Sequence, residues 1–437
     1  MLNTITSYTT NLTELRKKIV SSLLLLTFTT AGVLAQGADQ IRESQELFNK
    51  AKIALQDNKV ELFRVELEKA LKLRPGQPIY LLNYAYSLAL NEQYKDALDT
   101  LDEIAEMGLY YKISEIKGFE SLKGEEGYQR VVKKINENNR PVGKLVSEFE
   151  VRDKDLLVEG VAVNENSSTH YLTSVHKNMV IKYEPKTNKL DTVKLKLSPL
   201  GIKIGPNHKF IWVSMAGVEQ GSKTKKEYIG LSGIARIELE KFSLHEEIII
   251  ERDSTQHVFG DLIIDRDGSL FISDSKNALI YKFDSQLGNF NKISNKGDFI
   301  SPQGLIFGKD NSYLIVSDYS IGLLKVNKKK GEVTHLKNLT KISLLGIDGI
   351  YRYKDDIIAV QNGLKPNRVL KLKLDEMESK IIGYEILYAN GEVLDDPTLG
   401  IIKGDKFYLN ANSQWQKFSS NNDQKRNYPK IITLNLN

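Results

Sequence analysis

One phrase recurs six times in the C-terminal part of this 437-residue chain, and no other feature restricts its fold as much. It reads "EGVAVNENSSTHYLTSV", "LGIKIGPNHKFIWVSM", "GDLIIDRDGSLFISDS", "QGLIFGKDNSYLIVSD", "DGIYRYKDDIIAVQNG" and "LGIIKGDKFYLNANS". Each copy has a leading residue, usually a Gly beside it, an alternating strand, a polar turn and a second apolar strand. A third strand generally follows, as in "NMVIKYEP", "SGIARIEL", "NALIYKFD", "IGLLKVN" and "NRVLKLKLD". The copies begin at Glu159, Leu200, Gly260, Gln303, Asp348 and Leu399, roughly 40 to 60 residues apart, which is blade spacing. Six blades of about four strands make an all-β six-bladed propeller. The second copy carries a polar insertion, "EQGSKTKKEY". The C-terminal "KIITLNLN" either closes the last blade or pairs with the N-terminal strand "KLVSEFEV" to close the ring.

Repetition gives the leading positions a shared meaning. In a propeller they open the innermost strands and converge around the central channel. Turn chemistry alone accounts for Asp348 before Gly349. It does not account for Glu159, since Glu is a poor turn former. Two carboxylates facing one narrow channel repel unless a cation or a shared proton lies between them.

The part before the repeats has helical period. "FRVELEKALKLRPG" and "ALDTLDEIAEMGL" align so that Phe63, Leu67, Ala70 and Pro75 fall on Ala97, Leu101, Ile104 and Leu109, an offset of about 34 residues, the tetratricopeptide period. "YAYSLALNEQYKDALDTL" looks like one such repeat, and "FESLKGEEGYQRVVKKI" resembles the closing helix that often follows them. The expectation is therefore a multidomain chain. A short all-α tetratricopeptide-like domain spans 36–139, a linker 140–148, and the propeller 149–437. The helical domain carries no catalytic constellation; it is a spacer, a docking surface for a protein partner or a packing partner for the propeller.

Arg16-Lys17-Lys18 precedes the apolar run "IVSSLLLLTFTTAGVLA", and Val33-Leu34-Ala35 places small residues where a signal peptidase reads. This order marks residues 1–35 as a signal peptide cleaved after Ala35. The run is short for a membrane span, so the reading is a periplasmic or secreted protein with no membrane anchor. The chain has no cysteine, which excludes disulfides, thiolate metal sites and a Cys nucleophile. A net charge of +5 with scattered Lys residues does not suggest nucleic acid.

"EGVAV", "DLIIDRDGSLFISDS", "PQGLIFGKDNSYLIVSD" and "DGIYRYKDDIIAV" together resemble the regucalcin/gluconolactonase family of six-bladed propellers. The resemblance runs from about Leu156 to the C-terminus. It implies a divalent cation, often calcium, held in the channel by Glu, Asn, Asn and Asp from four blades. The cation polarises a lactone carbonyl while an acidic residue assists water. By position, Glu159 and Asp348 match the acidic ligands, and Gln303 of "PQG" stands for one Asn with its amide oxygen one methylene further out. Gly260 stands where the other Asn belongs and offers no side chain. The family's substrate-binding Arg is absent, with His257-Val258-Phe259 in its place. Asp261 or His257 would then handle the proton. The implied ligand is a lactone or sugar-like small molecule, and the alternative is a non-catalytic binding scaffold. Asn362 is placed at the channel mouth. Asp274 and Asp318 are placed there too, although an Asp ending a second strand commonly caps a turn. His176 and Asn412 are further candidates for the mouth. Trp212 reads as packing between blades.

Overall fold

The computed structural model describes residues 37–164, 168–419 and 424–437. The segment read as a signal peptide lies outside the described residues. The first described part is helical. Helices α1 (Ala38–Gln56) and α2 (Val60–Leu73) form one hairpin, and α3 (Pro78–Leu90) and α4 (Tyr94–Glu106) form the next. The hairpin turns pass through Asn58 and Glu92, both in the left-handed region at φ 56° and 58°. Pro78 opens α3, where its missing N–H has no partner to lose. Two 3-10 segments (Ile113–Glu115 and Lys117–Gly124) lead into α5 (Tyr128–Glu137). The residues aligned in the sequence echo, Ala97, Leu101 and Ile104, are buried against Leu122, Val131 and Ile135 of the closing segments. Among the described residues no helix is long and apolar enough to cross a membrane.

Strand β1 (Ser147–Glu150) follows the linker. Six sheets come next. The first blade is β2 (Val158–Val163), β3 (His170–Ser174), β4 (Met179–Glu184) and β5 (Lys189–Lys194). The second is β6 (Ser198–Ile204), β7 (Phe210–Ala216), β8 (Ser232–Glu238) and β9 (Ser243–Ile249). The third is β10 (Phe259–Ile264), β11 (Leu270–Asp274), β12 (Leu279–Asp284) and β13 (Asn289–Lys292). The fourth is β14 (Pro302–Phe307), β15 (Tyr313–Asp318), β16 (Gly322–Asn327) and β17 (Val333–His335). In the fifth, β18 (Lys337–Asn338) lies parallel outside β22 (Lys380–Ala389), which follows β19 (Ile347–Tyr353), β20 (Asp356–Gln361) and β21 (Arg368–Leu374). The sixth contains β23 (Gly400–Lys403), β24 (Lys406–Asn410) and β25 (Lys430–Asn435).

Both proposed roles of the C-terminal strand are realised together. β25 pairs with β24 on one side and with β1 on the other, Phe149 opposite Ile431. The ring is thus closed by strands from both ends of the propeller sequence, which leaves no open blade edge inside it. Neighbouring blades bury their apolar faces on each other. Trp212 of β7 packs with Phe283 of β12 at 6.5 Å between ring centroids, between the second and third blades as expected.

The helical part is anchored to the propeller by polar groups as well as apolar ones. Arg368 of β21 is fully buried. Its guanidinium donates to the carbonyls of Gly108 at 2.6 Å and Met107 at 3.4 Å, just beyond the end of α4. Those are carbonyls a helix end leaves without intrahelical donors, and a cation there also suits the helix dipole. Its Nε donates to Gln361, whose amide in turn holds the carbonyls of Ser343 and Leu345. Further links run from Arg74 to the Ser320 carbonyl at 2.8 Å and from the Tyr110 N–H to the Lys365 carbonyl at 2.9 Å. Ser320, Ser343 and Lys365 all lie at the end of blades four and five where the innermost strands begin.

Replacing Arg368 by Met should remove these bonds and take from the Gly108 carbonyl its guanidinium donor, while the Met107 carbonyl keeps the Ser343 N–H. We expect a loss of about 3 kcal/mol in chemical denaturation. An unchanged midpoint would mean that the apolar contacts alone hold the helices in place.

Candidate functional site

Five of the six leading residues are turned by a bulge in their strands. In five blades the inner ladder skips register there, between Val158 and Val161, Pro199 and Ile202, Phe259 and Leu262, Pro302 and Leu305, and Ile347 and Ile350. Each bulge holds the leading residue and its successor, and a bulge re-aims side chains. The successor is Gly in four of these five; at Gly160, Gly201 and Gly304 the next blade presses on it, and at Gly349 the Tyr351 ring of its own strand does. A Cβ on Gly160 would stand 2.5 Å from the Leu200 carbonyl oxygen, and one on Gly304 would stand 2.6 Å from the Ile350 nitrogen.

The bulges release backbone groups that the second strands satisfy with hydroxyls. Thr173 accepts the Gly160 N–H at 2.7 Å and donates to the Leu200 carbonyl of the next blade at 2.7 Å. Ser214 does the same for the Gly201 N–H and the Gly260 carbonyl. Ser317 donates toward the Gly304 and Asp348 carbonyls, and Thr398 donates to the Glu159 carbonyl across the last junction. Where blade five has Val360 in that register, the Tyr351 hydroxyl reaches across to accept the Gly400 N–H at 2.6 Å.

Inside this ring lies a cavity of about 440 Å³, lined by Glu159, Gln303, Asp348, Asn362, Asp396 and Trp415 among others, and by no Lys or Arg among the described residues. One Glu159 oxygen, Oε2, accepts from Ser413 Oγ at 2.9 Å and Trp415 Nε1 at 2.7 Å. Burial, with the charge of Asp348 added, pushes the Glu159 carboxyl up to about 8. Asp348 accepts from Asn362 Nδ2 at 2.9 Å through Oδ2. Burial raises it to about 7; the Asn362 bond opposes that rise, and the charges of Asp396 and Asp261 add to it. The two carboxyls are thus held near neutrality for want of a compensating charge.

Gln303 turns its amide nitrogen to Ser301 Oγ at 2.9 Å. Its amide oxygen lies 3.6 Å from where a Cβ of residue 260 would stand. The extra methylene that distinguishes Gln303 from Asn therefore lets it lean over the gap at Gly260. Asn362 lines the cavity, fixed by the Tyr319 hydroxyl at 2.9 Å and by its own bond to the Pro397 carbonyl at 2.8 Å.

Other sequence candidates stand elsewhere. Asp261 occupies the register that Gly holds in the other bulges, so its side chain is turned toward blade two. Oδ1 pairs with Lys203 Nζ at 2.9 Å, Oδ2 has no hydrogen-bond partner, and the residue is also part of the cavity lining. A Cβ on Gly201 would meet Asp261 Oδ1 at 2.6 Å, so Gly201 makes room for it. His257 is fully buried and does not line the cavity. Its Nδ1 is 2.6 Å from Asp274 Oδ2 and its Nε2 is 3.3 Å from Asp253 Oδ1. Burial lowers its pKa, but those two carboxylates outweigh it and the net shift is upward. Asp274 also takes the N–H groups of Val258 and Asn277, and Asp318 takes those of Ile300, Ser301 and Ser320. Both act as turn caps, and neither lines the cavity. His176 binds the Gln220 carbonyl, and Asn412 holds the backbone of Tyr428 and Lys430 beside the closing strand.

Among the cavity residues that the repeated phrase does not single out are Asp396, Trp415 and Tyr319. Asp396 sits in the loop before the sixth blade at φ 60°, accepts the Trp415 N–H at 3.3 Å, and has its pKa raised, mainly by burial. The only sequence signal for it is "DDP" just before "TLG".

No family model matches the chain, and no curated relative matches its sequence. Solved structures do match. The major allergen Mala s 1 of Malassezia sympodialis aligns with a TM-score of 0.51 and 12% identity, over 67% of this chain and 97% of that one. A gluconolactonase of Xanthomonas campestris aligns with a TM-score of 0.46 and 13% identity, over 67% and 94%. Virginiamycin B lyase of Staphylococcus aureus aligns with a TM-score of 0.44 and 15% identity, over 67% and 99%. At such identity the likeness is one of fold.

A carboxyl whose pKa is raised by folding stabilises the fold while it stays protonated. That contribution is complete below its ordinary value, 4.5 for Glu159 and 3.8 for Asp348, and is lost as pH rises through about 8 and about 7. Metal-free protein should therefore lose stability between pH 5 and 8.5. Glu159→Gln should recover on the order of 2 kcal/mol at pH 8.5 and nothing at pH 4.5. Parallel pH profiles of melting temperature for the two proteins would contradict this.

Proposed function

We propose that the channel mouth binds a divalent cation and hydrolyses a lactone or a related small ester. The observation that carries the reading is three mutually repelling carboxyls, Glu159, Asp348 and Asp396, in one cavity with no basic side chain among its lining residues. Among the described residues no three carboxylate or imidazole groups are gathered closely enough to hold a metal by themselves. The proposed donor set therefore adds the Gln303 amide oxygen to two carboxylates, all oxygens of the kind a hard cation takes. Glu159 Oε1, Asp348 Oδ1 and Gln303 Oε1 are oxygens from three blades, the partner oxygen of each carboxylate is already fixed by hydrogen bonds, and calcium prefers such oxygens. When bound, the cation supplies Lewis-acid polarisation of the substrate carbonyl.

The chain's own groups do the rest. Asn362, held by Tyr319, keeps Asp348 in place. The Trp415 indole N–H fixes Glu159, and its ring gives the cavity an apolar wall. Asp396 takes the proton from the attacking water, in place of His257, whose ring nitrogens meet Asp274 and Asp253, and of Asp261, whose charge is paired with Lys203 through Oδ1. Burial raises its pKa above the usual carboxylate value, the direction that strengthens a general base. Addition of water and cleavage of the ring C–O bond give the open hydroxy acid. Export through the segment ending at Ala35 and a protein partner for the helices belong to the same proposal.

A second reading, a non-catalytic propeller that only binds its ligand, is favoured by one observation. The Asp261 carboxylate is already paired with Lys203.

Calorimetry with calcium, magnesium, manganese and zinc, followed by a pH-stat screen of sugar lactones, separates the two. We expect micromolar cation binding that Glu159→Gln or Asp348→Asn abolishes. Asp396→Asn should keep the affinity but lower kcat by about 100-fold. Cation binding without turnover of any lactone would favour the binder, and no cation binding would sink the hydrolase.

A further inference from the structure

The innermost strands begin at the acidic mouth, and their other ends surround a second cavity of about 560 Å³. It lies where β6, β10, β14 and β19 finish, and its charge is the reverse. Lys203, Lys309, Arg352 and Lys354 line it, and no Asp or Glu does among the described residues. Apolar side chains, among them Ile263 and Phe307, make up much of the remaining wall.

Each cation has its carboxylate partner outside the cavity lining. Lys203 pairs with Asp261 at 2.9 Å, Lys309 with Asp355 at 2.8 Å and Arg352 with Glu378 at 2.6 Å. Lys354 stands 4.0 Å from Asp405. These pairs hold the cations in position without using all their donors, since an ammonium has three N–H groups and a guanidinium five. Lys203 and Arg352 are largely buried, so they are weakly screened and already ordered.

We infer that this second mouth binds an organic anion with an apolar body, an alkyl or aryl carboxylate, with its charge at the Lys309–Lys354 side and its body against Ile263 and Phe307. The cations account for the anionic head. The apolar wall accounts for the body, which inorganic phosphate lacks. The volume falls in the roughly 300–1,000 Å³ range of small-molecule pockets. The inference is independent of the cation and of hydrolysis at the other mouth.

The test is calorimetry on the full chain with octanoate, octanol and inorganic phosphate. The variants are Lys309→Glu/Lys354→Glu and the milder Lys309→Gln/Lys354→Gln, with thermal melting to show that each is folded. Both lysines are well exposed, so folding should survive. We expect octanoate to bind at least tenfold more tightly than octanol or phosphate. The Gln pair should weaken octanoate several-fold and the Glu pair more than tenfold. Octanol binding as tightly as octanoate, phosphate binding as tightly, no octanoate binding, or affinity unchanged in both variants would each overturn the assignment.

Discussion

Six strands converging on one axis leave backbone N–H and carbonyl groups where there is little water to satisfy them, and the hydroxyl bridges between blades meet that constraint. Thr173 and Ser214 each accept a bulge N–H from their own blade and donate to a carbonyl of the next. A bulge without such a partner would leave a buried donor unpaired, at a cost comparable to a lost hydrogen bond. The bulge is also what turns Glu159, Gln303 and Asp348 into the cavity. The hydrogen bonds that hold the ring together therefore also place the site, and Gly160, Gly201 and Gly304 are small because the next blade's backbone or side chain fills their space.

This dependence explains how much could be read from sequence. Period-two strands at blade spacing specify six sheets, and the structure has six. The leading residues were legible because their position in the phrase repeats. The second bulge residue was harder to read. Asp261 follows its leading residue as Gly160 follows Glu159, but an alternating pattern does not show that a bulge turns that position toward the neighbouring blade. His257 was misleading for a similar reason. It precedes the phrase of blade three, yet its ring meets Asp274 at the end of the second strand, a contact made across the hairpin. Asp396 lies in a loop and Trp415 opens a short 3-10 segment, neither with a period to read, and only the closure of the ring brings Trp415 to Glu159, far away in the chain.

The two ends of the channel carry opposite charge, and the Asp261–Lys203 pair stands between them. Asp261 is part of the acidic cavity's lining and Lys203 lines the basic one. Their 2.9 Å contact is nearly excluded from solvent, so each charge is compensated locally and neither is free to neutralise the groups beyond it. Glu159 and Asp348 consequently have no ammonium to relieve their repulsion, although one lies in the same channel. Gly260 has no side chain to offer the cavity, and the carboxylate beside it serves the junction of blades two and three.

The helices belong to this arrangement rather than to a separate module. Arg368 takes the carbonyls beyond the end of α4 while its Nε holds Gln361, and Gln361 fixes the Ser343 and Leu345 carbonyls ahead of β19. Asp348 is the second residue of β19. The chain from helix end to Arg368, Gln361 and the start of β19 is fully hydrogen-bonded and almost wholly buried. Tyr319, which orients Asn362, accepts the Gly346 N–H on its carbonyl in the same stretch. Polar contacts thus run from the end of α4 to the segment that leads into the strand presenting Asp348, so the helices and the mouth share one hydrogen-bonded network.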